Sequence, residues 1–177
     1  MRLPAIPAAR RITAKAVAVT ALAAGAAVAL QPAAPASAAC ADVDVVVARG
    51  TGEPGTLGLI VGDPVYAAMQ RRIAFRSLKA YAVDYPASLL PGSASQGNTD
   101  LVDHVTAEAQ SCPNQKFVLV GYSQGANVVD NSIGVSSDGA LVGGPITKTI
   151  PASVEPRVAA VLLFGNPIRA IGRRVTG

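Results

Sequence analysis

The chain has one histidine and two cysteines in 177 residues, too few for a Cys–His metal cluster. The glycines around Ser123 do not follow the dinucleotide-binding order, so neither a metal nor an organic cofactor is expected. No internal repeat occurs, and low-complexity sequence is confined to the first forty residues. Acidic residues are absent from positions 1–38, where Arg2, Arg10, Arg11 and Lys15 supply four of the fifteen basic residues. A membrane-length apolar run is missing too. The stretch "AVAVTALAAGAAVAL" is mostly alanine and falls short of the about 20 residues that a span requires.

What does stand at the N-terminus is a basic segment, that apolar run, and the small-residue stretch "QPAAPASAAC". This order predicts an export signal over residues 1–38, with Ala36 and Ala38 at an A-x-A cleavage site, and a mature domain over 39–177. An uncleaved anchor is the competing reading. Cleavage removes the entire excess of +4, leaving eleven basic against eleven acidic residues, so no nucleic-acid partner is implied. The length fits a single domain. In an exported chain Cys40 and Cys112 are expected to join in a disulfide. Closing so long a loop is worth about 4 kcal/mol in the chain-entropy picture. The alternative, acylation of Cys40, lacks the large aliphatic residue usual three positions ahead and leaves Cys112 without a partner.

Along the mature chain, "DVDVVVA" (42–48) reads as a buried strand that runs into the glycine-marked turn "RGTGEPG". Val65, Met69, Ile73 and Leu78 recur at helix-like spacing, with Arg71, Arg72, Arg76 and Lys79 between them. "YAVDYPA" (81–87) is a short strand stopped by Pro86, and "TDLVDHVTAEAQSC" a helix capped by Asn98 or Thr99. A central strand "KFVLVG", a helix after Ser123, a glycine-rich excursion and a last strand "VAAVLLFG" complete the order. Strands alternating with helices predict an α/β fold, a mostly parallel sheet covered on both faces.

"GYSQG" (121–125) fits G-x-S-x-G between an apolar strand and a helix. Its glycines let the strand-to-helix turn pack where side chains would meet backbone, and Ser123 is raised as a nucleophile. The backbone N–H of Gln124, at a helix N-terminus, is one expected oxyanion donor. Thr51, in the loop after the first strand, is the other; the competing reading of that loop is an Arg49–Glu53 ion pair that simply pins it, which leaves the donor role open. A serine needs a histidine base held by a carboxylate. In hydrolases with this turn both follow the serine, and no histidine does so here. His104 lies upstream, expected on a helix surface, and Asp130 sits two turns from Ser123, about 10 Å by helical rise, too far to orient such a ring. A complete triad is not expected.

These stretches resemble the cutinase family, in particular the esterases that actinobacteria such as mycobacteria secrete. The resemblance rests on "VVVARGTGEPGTLG", "YAVDYPAS", "SCPNQKFVLVGYSQGANVVD" and "RVAAVLLFGNP", which span essentially the whole mature chain in order. It implies an α/β-hydrolase-like three-layer sandwich, hydrolysis of carboxylic esters, and an ester or lipid-like small-molecule substrate. It also implies a monomer secreted or held at the cell envelope, with peripheral contact to envelope lipids. By motif, the family's nucleophile falls on Ser123, its oxyanion donors on Thr51 and Gln124, and its first disulfide on Cys40 and Cys112. The family's Asp and His lie beyond the "FGNP" strand and match no residue before Gly177, so the sandwich is expected to be C-terminally incomplete. Exposed core surface and an unprotected edge strand are expected with it. The alternative function is an inactive, truncated secreted protein with a binding or antigenic role. A rewired enzyme would have to bring His104 to the serine.

Overall fold

Four mostly apolar runs form the strands β1 (Val43–Ala48), β2 (Leu78–Ala82), β3 (Lys116–Tyr122) and β4 (Val158–Phe164). The structure, a computed structural model, describes residues 40–168, all within the unit Ser37–Gly177. The export signal read over 1–38 therefore lies outside the described residues. The strands pair in parallel, in the order β2-β1-β3-β4. Helices α1 (Gly62–Arg72), α2 (Ser93–Ser111) and α3 (Gln124–Ser132) connect them.

Successive strand side chains point to opposite faces, so a sheet covered twice must be apolar at nearly every central position. In β1, Val45 and Val47 join Val118 and Val120 of β3 against Val65, Tyr66 and Met69 of α1. Val46 and Ala48, with Phe117 and Leu119, pack on the other face against Leu101, Val102 and Val105 of α2 and Val128 and Val129 of α3. Each fully buried valine or leucine here contributes roughly 1.5–3 kcal/mol of transfer free energy. The outcome is the three-layer α/β sandwich with a central parallel sheet that the sequence predicts.

Three boundaries differ from expectation, the first being that the strand read over 81–87 ends at Ala82 and leaves residues 83–87 outside the sheet. Leu78 belongs to β2 and not to the helix, because α1 stops at Arg72 and Leu78 takes its place opposite Val43 in the ladder. Helix α2 starts at Ser93, behind Gly92 at φ 85°, so Asn98 and Thr99 are interior residues and not caps. Asn98 is fully buried; its Oδ1 accepts from the backbone of Thr147 and Lys148, and its Nδ2 donates to Ser132 Oγ. A polar residue inside a helix is tolerated here because its amide is spent on tertiary partners.

The expected disulfide is present: Cys40 and Cys112 are bonded, with Cα atoms 5.6 Å apart. The two margins of the sheet are unequally covered. Strand β4 is its terminal strand, and Val161 and Phe164 are 37% and 40% exposed although both are large and apolar. Exposed apolar surface at a sheet edge, anticipated above, is therefore a feature of the described residues.

Candidate active site

Chain order places the site. From β1 the chain leaves toward α1 on one face, and from β3 toward α3 on the other, while β1 and β3 are neighbours. Connections diverging from adjacent parallel strands open a crevice at their carboxyl ends, where open α/β sheets bind ligands. Ser123 and the turn 49–53 both lie at that crevice.

The serine turn is as strained as its motif predicts. Ser123 has φ 52° and ψ −117°, a region that non-glycine residues seldom occupy. Its backbone is held on both sides: Ser123 N donates to Phe164 O at 2.9 Å, and Ser123 O accepts from Ala126 N at 2.9 Å. The glycines are steric requirements. A Cβ on Gly125 would lie 1.9 Å from Ala48 O, and one on Gly121 would lie 2.5 Å from Gly125 O. Since neither obstacle is a side chain, neither can rotate away. The same contact sets the end of β1 directly against the start of α3.

The turn after β1 is then fixed from several directions. A Cβ on Gly50 would be 2.6 Å from the Tyr122 ring, so the loop lies flat on the residue before Ser123. The Arg49–Glu53 ion pair is not made. Instead Arg49 Nε donates to the Glu53 carbonyl at 3.0 Å, and its terminal nitrogens donate to Val83 O and Tyr85 O. The Glu53 carboxylate accepts from Gly50 N at 2.6 Å and Ile60 N at 2.9 Å. Each group thus satisfies loop backbone, which has no ladder to join. Within this frame Thr51 Oγ1 is buried and has no partner among the described residues. A buried hydroxyl without a partner costs about 1–3 kcal/mol. The N–H of Gln124, first residue of α3, is one of the helix N-terminal donors that have no intrahelical acceptor.

Ser123, Thr51 and Gln124 thus all follow the carboxyl ends of the neighbouring strands β1 and β3. His104 does not join them. Its Nε2 lies 2.8 Å from Oδ2 of the fully buried Asp44, and its ring stacks on Tyr81 with centroids 3.5 Å apart. Asp44 is level with Phe117, six positions before Ser123, which puts it about 20 Å down the sheet. The expectation of a surface histidine is corrected too: the ring is half-buried because Asp44, in a strand interior, needs a donor. Asp130 is also buried, and it accepts from Asn166 Nδ2 at 2.8 Å in the turn after β4. Burial pushes its carboxyl above the ordinary value of 3.8, partly offset by that bond.

What the sequence reading missed is a row of buried carboxamides on α3. Gln124, Asn127 and Asn131 recur at i, i+3 and i+7, the spacing of a single helix face. They donate to Val142 O, Leu141 O and Gly144 O, and hold the excursion that follows α3, which has no regular structure of its own there. Helical spacing of amides where apolar residues belong was the available signal.

Comparison with known proteins agrees with this geometry. The chain is 45% identical to a cutinase of Kineococcus radiotolerans over 139 residues, 78% of this chain and 45% of that one. It is 40% identical to the phospholipase Culp4 of Mycobacterium tuberculosis over 133 residues, 75% of this chain and 56% of that one. A solved structure of Trichoderma reesei cutinase with a C11Y4 phosphonate inhibitor superposes with a TM-score of 0.58 at 37% identity, covering 72% of this chain and 53% of that one. The chain spans about half the length of the relatives it matches. The cutinase family pattern runs from residue 39 to 175, through every strand and helix described above, and this chain belongs to the cutinase family.

Proposed function

We propose that the crevice is an ester-hydrolysing site in which Ser123 is the nucleophile. Ser123 Oγ adds to the ester carbonyl, and the oxygen that gains charge accepts hydrogen bonds from Gln124 N–H and Thr51 Oγ–H. Collapse of this adduct expels the alcohol, which takes up the proton that the Ser123 hydroxyl loses, and leaves an acyl group on Ser123. Water then adds to that acyl group, releasing the acid and returning a proton to Ser123 Oγ. The observation that carries the reading is the buried, unpartnered hydroxyl of Thr51 beside a serine in a strained turn. Its substrate would be a carboxylic ester with an apolar chain, in keeping with Leu59, Leu89, Leu90 and Leu141, all exposed in the described residues. Export through the 1–38 segment is part of the proposal, and a disulfide suits an oxidising compartment. Peripheral contact with envelope lipids through those leucines, as a monomer, completes it.

One observation favours a second reading. The chain's sole histidine is engaged by Asp44 at the far end of the sheet, so Ser123 has no base from it. A catalytically silent protein, retained for binding, would keep the same crevice. Incubating the full chain with a fluorophosphonate and with p-nitrophenyl butyrate separates the two. Labelling and turnover, both lost in Ser123→Ala, support the esterase. Labelling without turnover supports a nucleophile lacking its base, and neither, in a folded sample, refutes the esterase reading.

A further inference from the structure

Among the described residues, three non-glycine residues have positive φ: Ala87 at 49°, Ser123 at 52° and Val142 at 50°. A β-branched residue such as Val142 pays most for that conformation. Strain of this kind persists only where surrounding contacts enforce it. All three positions converge on Gln124. Ser123 precedes it; Gln124 Nε2 donates both to Ser88 O, next to Ala87, at 2.9 Å and to Val142 O at 3.2 Å. Its Oε1 accepts from Ser93 Oγ at 3.2 Å, and Ser93 Oγ also accepts from Ser88 N at 3.1 Å. The side chain is 1% exposed, whereas Leu89 and Leu141, carried by the two segments it binds, are 77% and 78% exposed. Asn127 Nδ2 adds a second hold on the same crossing, at Leu141 O, 2.9 Å away.

We infer that the Gln124 side chain, apart from its backbone N–H, is a positioning residue that fixes the Leu141–Val142 crossing beside the Ser88–Leu90 turn, making Leu141 the contact that selects the substrate's apolar chain. One amide group gives its two protons to carbonyls from segments more than fifty residues apart, so a shift of either segment breaks its bond to the side chain that also holds the other. Losing that amide frees two strained crossings to relax, and the leucines lose their fixed separation. The inference rests on the esterase reading for its substrate, yet it is tested without turnover.

The test is calorimetric binding of sodium butyrate and sodium octanoate to the full chain, wild type against Gln124→Met, Leu141→Ser and Asn127→Ser. Four added methylenes that meet a positioned leucine give octanoate an advantage of about tenfold or more in the wild type. Gln124→Met and Leu141→Ser are each expected to bring the ratio to about threefold or less, and Asn127→Ser to an intermediate value. A merely structural glutamine would weaken both ligands alike, so the ratio reads positioning. Should Gln124→Met fail to fold, Leu141→Ser decides, since its side chain is exposed. A wild-type ratio near one, or an unchanged ratio in a folded Leu141→Ser or Gln124→Met, overturns the inference. Absent ester hydrolysis with the ratio pattern intact would sink only the esterase reading.

Discussion

The two ends of the sheet spend their polar groups differently. At the amino end most charged groups are paired, although Asp44 Oδ1 and Gln115 Oε1 are buried there without a partner. Arg157 donates to the carbonyls of Gln115, Ala109 and Cys112, the Cys40–Cys112 bridge ties the segment before β1 to the end of α2, and Asp44 is shared by His104 and Lys79, which also pairs with Glu108. At the carboxyl end the backbone is strained at Ala87, Ser123 and Val142, and the Thr51 hydroxyl is buried without a partner. The first arrangement lowers the free energy of the fold. The second raises it locally and is held by Arg49, Gln124 and Asn127 at the same end.

If that division is right, substitutions at the amino end should cost stability and leave Ser123 reactivity alone. The largest effect is expected from replacing Cys40 and Cys112 together by Ser. Loss of the cross-link across 72 positions should remove about 4 kcal/mol from denaturant unfolding, with the initial rate of fluorophosphonate labelling in native buffer unchanged. Next comes His104→Ala, which strands a buried carboxylate with only Lys79 at 3.5 Å and should cost about 3 kcal/mol. A loss of labelling without a loss of stability would instead assign His104 to the site and contradict the comparison.

Carboxyl-end substitutions should do the reverse. Thr51→Val removes an unsatisfied hydroxyl, so melting should hold or rise slightly while Ser123 acylation slows by roughly 100-fold. A slowing of less than about threefold would remove Thr51 from the oxyanion role. Ser123→Gly should abolish labelling and stabilise the fold by about 1 kcal/mol, because glycine accepts φ 52° without strain.

The smallest effect concerns Asp130, at the carboxyl end of α3. Burial raises its carboxyl above 3.8, so the fold favours the protonated form. The stability it contributes is complete below that value and is lost as pH rises through the raised one. Asp130→Asn, which keeps an acceptor for Asn166, should match the wild type in acid and exceed it increasingly as pH climbs toward neutrality. Melting curves in a pH series check this. An advantage that is greatest in acid would reverse the sign and refute it.

Much of this molecule was legible along the chain because the signals are local. β-branched runs mark β1, β3 and β4, the two glycines around Ser123 mark a turn that admits no Cβ, and a pair of cysteines in a chain read as exported marks a bridge. The helix after Ser123 and the parallel layering follow from the same periodicities. Side-chain partners were not legible in that way. Asp44 and His104 are 60 positions apart, and Gln124 reaches Ser88 and Val142 from opposite directions along the chain. Periodicity tells which residues share a face, but a hydrogen bond needs two atoms within about 3 Å, and which distant segments meet is set by sheet order and register. The sequence alone therefore determined β1, β3, β4 and the helix after Ser123, the bridge and the tight serine turn. Tertiary structure alone decided that the histidine serves the scaffold, that Asn98 is a clamp and not a cap, and that one glutamine side chain gathers the strained backbone around Ser123.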